Sequence, residues 1–135
     1  MTVLLGDIHF GKNGFSMETY ENQMKFYHKQ LFPFLLQQKI KHVICTGDFF
    51  DHRTRQDVLL LLKIKKEFLK FFEDNEIMLT VLVGNHDMYF KDSKKICTLD
   101  LFEENKFLRI IKETTIIEIG NIKWQLFPWI NEEGF

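Results

Sequence analysis

The chain has 135 residues, a net charge of −1, 45% apolar residues and 27% charged ones. That is one domain's length with enough apolar content for a real core, which excludes a disordered chain and a strongly basic field, so any affinity for phosphate has to be local. The longest apolar run, Val58–Leu62, is far short of the ~20 residues a membrane helix needs, so no membrane partner is expected.

The opening MTVLLGD lacks the basic and apolar stretches of a signal peptide. Cys45 and Cys97 have neither a disulfide-framework nor a zinc-type spacing. Two reduced, buried thiols are expected, in a protein of the cytoplasm (the host cytoplasm for a viral chain). There is no alanine and there are 15 Phe, so the core is filled by few, large side chains. The two serines, Ser16 and Ser93, lie in no G-x-S-x-G turn, which excludes a serine-nucleophile hydrolase.

In chain order, Thr2 to Leu5 reads as a buried strand ending at Gly6-Asp7. Gly11 to Phe15 reads as a loop, and Ser16 as the cap of a helix whose inward stripe is Tyr20, Met24, Tyr27, Leu31 and Leu35. Pro33 falls inside that stripe and should kink the helix or restart it. His42 to Thr46 is a second strand, again followed by Gly-Asp. A second helix is expected from about Arg55 to Glu73, with Leu62, Leu69 and Phe72 facing inward and the KIKK run, Lys63 to Lys66, in solvent. Ile77 to Val83 is a third strand, ending in Gly84-Asn85. Lys91 to Lys95 reads as a charged loop and Thr98 to Glu104 as a short helix. Thr115 to Ile119 and Ile122 to Phe127, joined by Gly120-Asn121, make a hairpin. The sum is an α/β chain: a βαβαβ unit with right-handed crossovers and a parallel sheet, then a β-hairpin.

Each expected parallel strand ends in a glycine followed by a residue able to hold a metal: Gly6-Asp7-Ile8-His9, Gly47-Asp48-Phe49-Phe50-Asp51 and Gly84-Asn85-His86-Asp87. The carboxyl ends of neighbouring parallel strands point to one edge of the sheet, where ligands bind, so the three clusters should meet in space. Carboxylate, imidazole and amide oxygen donors suit Mn²⁺, Fe²⁺ or Zn²⁺. Any one of these stretches alone would pass for ordinary turn chemistry; three at equivalent strand ends do not. Lys12, Arg53 and Arg55 could hold backbone phosphates at the rim of such a site. Phe10, Phe49, Phe50 and Phe90 flank the clusters; they could stack on bases, but closing the core is the role expected of them.

The blocks GDIH-x-G, GDFFD and GNHD resemble the first three signature blocks of the calcineurin-like metallophosphoesterases. The resemblance is closer to the SbcD/Mre-eleven nucleases, and among these to the bacteriophage recombination endonuclease subunits, with FPW-x-x-EE (Phe127 to Glu133) after the hairpin fitting that branch. It implies an N-terminal half of an αββα sandwich and a site for two divalent ions, Mn²⁺ by preference. Asp7 and His9 would hold the first ion, Asp48 would bridge both, and Asn85 would hold the second. His86 would serve as proton donor near the leaving group, Asp51 and Asp87 would orient ligands and His86, and His52 would contact DNA. The implied activity is metal-dependent hydrolysis of phosphodiesters. For that family this means exonuclease and endonuclease cleavage of DNA ends in recombination and double-strand-break repair, beside an SbcC/Rad-fifty-type coiled-coil ATPase.

The family's two later metal blocks, a Gly-His and a Gly-His-x-His, have no counterpart, since none of the five histidines follows His86. The resemblance therefore implies a calcineurin-like domain, residues 1–135, incomplete at its C-terminus, with one histidine lacking at the first ion and two at the second. A split enzyme whose other half or second copy completes the site, and an inactive remnant, are the readings that follow. Another phosphoesterase of the superfamily, acting on nucleotides or phosphoproteins, would share every metal residue. A half-sandwich should also leave one apolar sheet face open and favour self-association.

Overall fold

The computed structural model describes residues 1–52, 54–84, 87–90 and 93–129, with 88–90 and 93–96 described by backbone alone. Among the described residues, four parallel strands form one sheet in the order β1 (Thr2–Leu5), β2 (His42–Cys45), β3 (Met78–Leu82) and β6 (Leu108–Ile111). The register runs straight across the sheet: Leu4 pairs Ile44, Ile44 pairs Thr80, and Thr80 pairs Arg109. The first three strands are those the apolar runs mark out. The fourth, LRII, is an addition: it is short and carries exposed Arg109 in its middle, so it lacks the unbroken apolar run of its neighbours.

Two long helices cover one face. Helix α1 runs over residues 17–37 as Met17–Phe26, a π-helical turn Tyr27–Leu31, and Phe32–Gln37. Ser16 caps it, its hydroxyl accepting from the Thr19 N–H at 3.3 Å. Pro33 falls in the first turn after the widened segment, where its missing N–H is absorbed, so the helix restarts instead of breaking. Helix α2 covers residues 58–74 and widens at Ile64–Leu69. It begins later than the apolar pattern indicates: Asp57, not a residue near Arg55, is the cap, accepting from the Leu60 N–H at 2.9 Å.

The π-turn also shifts the phase of α2. Leu60, Ile64, Phe68, Leu69 and Phe72 are buried, while Leu62, expected inward, is 48% exposed. Phe68 sits among aromatic rings from both helices and both strand-end loops, with centroids 5.0 Å from Tyr27, 5.3 Å from Phe10 and 5.8 Å from Phe49. Phe10, Phe49 and Phe50 are fully buried in this cluster, so they close the core and are not available to stack on bases. The side chain of Phe90 lies outside the described residues.

After β3, the expected charged loop at 91–95 is in part a strand. β5 (Ser93–Cys97) pairs antiparallel with β4 (Met88–Phe90), and Lys91 and Asp92 lie outside the described residues. A short 3₁₀ helix, Thr98–Phe102, follows where a short helix is expected. The hairpin of β7 (Thr115–Ile119) and β8 (Ile122–Leu126) pairs in register about Gly120-Asn121.

The hairpin lies on the sheet face opposite the helices. Ile117 and Leu126, with Trp124 and Ile119, pack on Ile44, Leu82 and Ile111. The second face is therefore covered over β2, β3 and β6, and what stays open is smaller than a bare half-sandwich would show: Leu4 on β1 is 57% exposed. Both cysteines are buried and unbridged, and no described helix is long and apolar enough to cross a membrane.

Leu126→Ala removes a buried anchor between hairpin and sheet and should lower stability by about 2–5 kcal/mol. Chemical denaturation of the two proteins measures this; a loss below about 1 kcal/mol would show that the hairpin does not cover the sheet in solution.

Candidate metal centre

The first two strand ends are zipped together beyond the sheet proper. Thr46 N donates to Leu5 O at 3.0 Å, His9 N to Asp48 O at 2.9 Å, Phe10 N to Phe49 O at 2.9 Å and Asp51 N to Phe10 O at 2.9 Å. Parallel pairing thus continues into both loops, which places 7–10 beside 48–51. His9 and Asp48 both take left-handed backbone conformations, with φ of 53° and 46°. For residues other than glycine this costs of order 1–3 kcal/mol each, a strain that clusters at functional sites. Here it turns the two side chains toward each other.

The side chains of Asp7, His9 and Asp48 each offer a ligand atom within 4.8 Å of the others. His9 Nε2 lies 3.9 Å from Asp7 Oδ2 and 4.0 Å from Asp48 Oδ2. Ion–ligand bonds of about 2.0–2.2 Å let two donors on one ion sit up to about 4.4 Å apart, so both separations fit a shared divalent cation. The donors are hard oxygens and one imidazole, the set that suits Mn²⁺, Fe²⁺ or Zn²⁺. Cys45 is nearby but supplies no thiolate. Burial pushes its thiol up to about 12, and its Sγ faces the Gly6 carbonyl at 3.8 Å.

Asp51 stands behind His9, with Oδ1 3.2 Å from Nδ1. A carboxylate behind the ring in this way, with Nε2 toward Asp7 and Asp48, is a common arrangement at metal-bound histidines. The resemblance pairs Asp51 with ligands and His86 alike; the geometry gives it His9. Thr46 contributes a hydroxyl 3.4 Å from Asp7 Oδ1, and Gln23 donates to Ile8 O at 2.8 Å, steadying the loop after β1. Sequence reasoning missed both. Thr46 carried a usable signal, a polar residue just before Gly47-Asp48; Gln23, on a helix distant in sequence, carried none.

Asp87 is fully buried. Its Oδ1 accepts from Phe50 N at 2.9 Å and its Oδ2 from Gly84 N at 2.8 Å. It ties the loop after β3 to the loop after β2. Burial pushes its carboxyl up to about 6; the Phe50, Gly84 and Phe49 N–H groups pull the other way, and the Asp48 charge adds to the rise. The same two loops touch through glycines: a Cβ at Gly84 would collide with the backbone N and the carboxylate of Asp48, and one at Gly47 would meet Gly84 Cα at 3.5 Å.

Of the remaining site candidates, Lys12 and Arg55 are exposed near the site's rim, and His52 is half-buried with Nε2 3.7 Å from Asp51 Oδ2. Asn85, His86 and Arg53 lie outside the described residues, as does the end of the FPW-x-x-EE stretch from Ile130 on.

A parallel sheet whose strand ends gather two carboxylates and a backed imidazole defines an α/β protein with a candidate divalent-metal site. The chain belongs to the calcineurin-like phosphoesterase family, which it matches over residues 2–132. It is similar to the DNA double-strand break repair protein Mre11 of Sulfolobus acidocaldarius, 28% identical over 109 residues, covering 81% of this chain and 28% of that protein. The crystal structure of the Pseudomonas putida nuclease MPE shares the fold at a TM-score of 0.55 and 20% identity, over 87% of this chain and 50% of that one. The chain thus spans half or less of the length of the relatives it matches.

Gly84→Ala should displace Asp48 and weaken Mn²⁺ binding by about 10-fold or more, as seen when residues supporting metal ligands are changed; calorimetric titration reads it, and unchanged affinity would deny the close packing of the two loops. Asp87→Asn puts an amide N–H against a backbone N–H and should destabilise the fold by about 1–3 kcal/mol. The folded pKa of Asp87 lies above its unfolded value, so the folded state holds the extra proton. Its contribution to stability is whole below about 3.8 and is lost as pH rises through about 6. Metal-free melts from pH 4 to 7 should show this fall in the parent and not in Asp87→Asn.

Proposed function

We propose that this chain is the N-terminal, metal-holding part of a DNA phosphodiesterase, an exo- and endonuclease subunit working in recombination and double-strand-break repair with an SbcC/Rad-fifty-type ATPase. The observation that carries the reading is the convergence of Asp7, His9 and Asp48 on one point, with Asp51 behind His9, in a chain of the calcineurin-like phosphoesterase family. The name of the Sulfolobus relative, a double-strand break repair protein, supports the DNA substrate.

In this proposal Asp7, His9 and Asp48 would hold divalent metal, and Asn85 would add a further ligand from within these 135 residues. Mn²⁺ is the metal of choice, and the histidines absent after His86 come from outside the chain, whether from its continuation, a partner half or a second copy. Divalent ions bound there supply Lewis-acid stabilisation of phosphoryl oxygens and activate water at neutral pH. The chain's own residues do the remaining work. Asp51 keeps the His9 proton on Nδ1. Asp87 keeps the loops after β2 and β3 at one spacing. His86 delivers a proton to the leaving oxygen. Lys12, His52, Arg53 and Arg55 receive the flanking backbone phosphates, so binding weakens as salt rises.

The test is cleavage of a linear DNA duplex with Mn²⁺ by the chain supplied with its completing segment or partner, against Asp48→Ala and His86→Ala. Cleavage lost in both variants is expected. Hydrolysis of small nucleotides with DNA left intact would make the protein a different phosphoesterase. Turnover by the 135 residues alone would remove the need for outside histidines.

A further inference from the structure

We propose that Phe15 is a positioning residue of the metal centre: its ring holds the His52 imidazole against Asp51, and Asp51 in turn sets the His9 ring. The inference rests on the reading of Asp7, His9 and Asp48 as a metal site.

The turn after β1 is left-handed through consecutive residues, with φ of 56° at Asn13, 64° at Gly14 and 62° at Phe15. A large aromatic residue in this region is a true outlier, since its Cβ crowds the following carbonyl. Such strain persists only where the surroundings over-determine it, and several contacts do so here. Phe15 N donates to Gly11 O at 3.0 Å, and Asn13 Nδ2 donates to Thr19 Oγ1 at 2.9 Å. Gly11 itself sits at φ 100°, and a Cβ there would meet the Phe15 ring at 3.1 Å and His52 Cδ2 at 3.5 Å. The chain thus places a glycine where a Cβ would press on the Phe15 ring and touch His52 at ordinary contact distance.

The strained turn delivers Phe15 onto His52. Their ring centroids are 4.4 Å apart at an interplanar angle of 33°, and the Arg55 guanidinium carbon lies 5.9 Å from the Phe15 centroid. His52 is held from its other end as well, its carbonyl accepting from Gln56 Nε2 at 2.8 Å. Its Nε2 is buried, makes no hydrogen bond among the described residues, and lies 3.7 Å from Asp51 Oδ2. That separation is a few tenths of an ångström beyond hydrogen-bond length, so a small movement of the ring decides whether Asp51 is steadied from that side. The other oxygen of Asp51 is the one 3.2 Å from His9 Nδ1. Phe15, His52, Asp51 and the His9 imidazole thus stand in line, the polar atoms of the last three separated by 3.7 Å and 3.2 Å. Filling the edge of the core would not require this conformation, because a leucine in an unstrained turn could do that.

The experiment is Mn²⁺ titration calorimetry on the chain and on Phe15→Leu, Phe15→Tyr, His52→Ala and Phe15→Leu/His52→Ala. Metal-free melts and the NMR shifts of the His52 ring protons accompany it. Phe15→Leu should weaken Mn²⁺ binding about 10-fold and abolish the upfield ring-current shift on His52, while Phe15→Tyr restores both. His52→Ala should weaken binding to a similar degree, and the double variant should be no worse than either single one, since both act through one path. Parent-like Mn²⁺ affinity in Phe15→Leu with the ring-current shift gone, or additive losses in the double variant, would overturn the proposal. Should Phe15→Leu fail to fold, parent-like affinity in His52→Ala overturns it equally. A parent chain that binds no Mn²⁺ would defeat the metal-site reading itself, and this inference with it.

Discussion

The candidate metal centre depends on the spacing of loops that leave parallel strands side by side, and the buried carboxylate of Asp87 maintains the spacing after β2 and β3. It accepts one N–H from Phe50 and one from Gly84. With Gly84 drawn in this way, the only residue that fits against Asp48 is one without a side chain. On the other flank, His9 N to Asp48 O and Asp51 N to Phe10 O carry the β1–β2 pairing past the sheet. Asp48 is therefore fixed from both sides, and its left-handed backbone is a consequence of being held there.

Held loops of this kind trade backbone comfort for preorganisation. His9, Asp48 and Phe15 all sit at positive φ, and all three lie on the two loops that make the site. The offset comes from the layer beneath. Phe10, Phe49 and Phe50 leave the same loops in the opposite direction and bury completely among Tyr27, Phe68 and Phe102. Aromatic packing of that extent contributes several kcal/mol, enough to hold a few strained residues of about 1–3 kcal/mol each. The abundance of Phe in a chain without alanine thus has a place in the candidate site: it anchors the loops of His9 and Asp48 from below.

Much of this was legible in the sequence, for identifiable reasons. Buried parallel strands read as short apolar runs, and β1, β2 and β3 announce themselves so; glycine before Asp7, Asp48 and Asn85 marks where each run must stop. The convergence of Asp7, His9 and Asp48 follows from parallel topology, which brings strand ends to one edge. The π-turns were not legible, since a widened turn changes helical phase without any residue type of its own; Leu62 ends up in solvent for that reason. β6 was hidden by Arg109, and β5 by its lysines. The cover that the hairpin lays on Ile44, Leu82 and Ile111 needs the sheet's twist and the path of the chain, neither of which is written in local pattern.

Asp7, His9 and Asp48 sharing a divalent cation is the claim from which the rest follows. Anomalous diffraction from crystals soaked in Mn²⁺ tests it most directly. A manganese peak within bonding distance of Asp7, His9 Nε2 and Asp48, with Asp51 still against His9 Nδ1, is the result this account predicts. Full soaking with no peak among those three side chains, or with manganese bound only elsewhere on the surface, would contradict it.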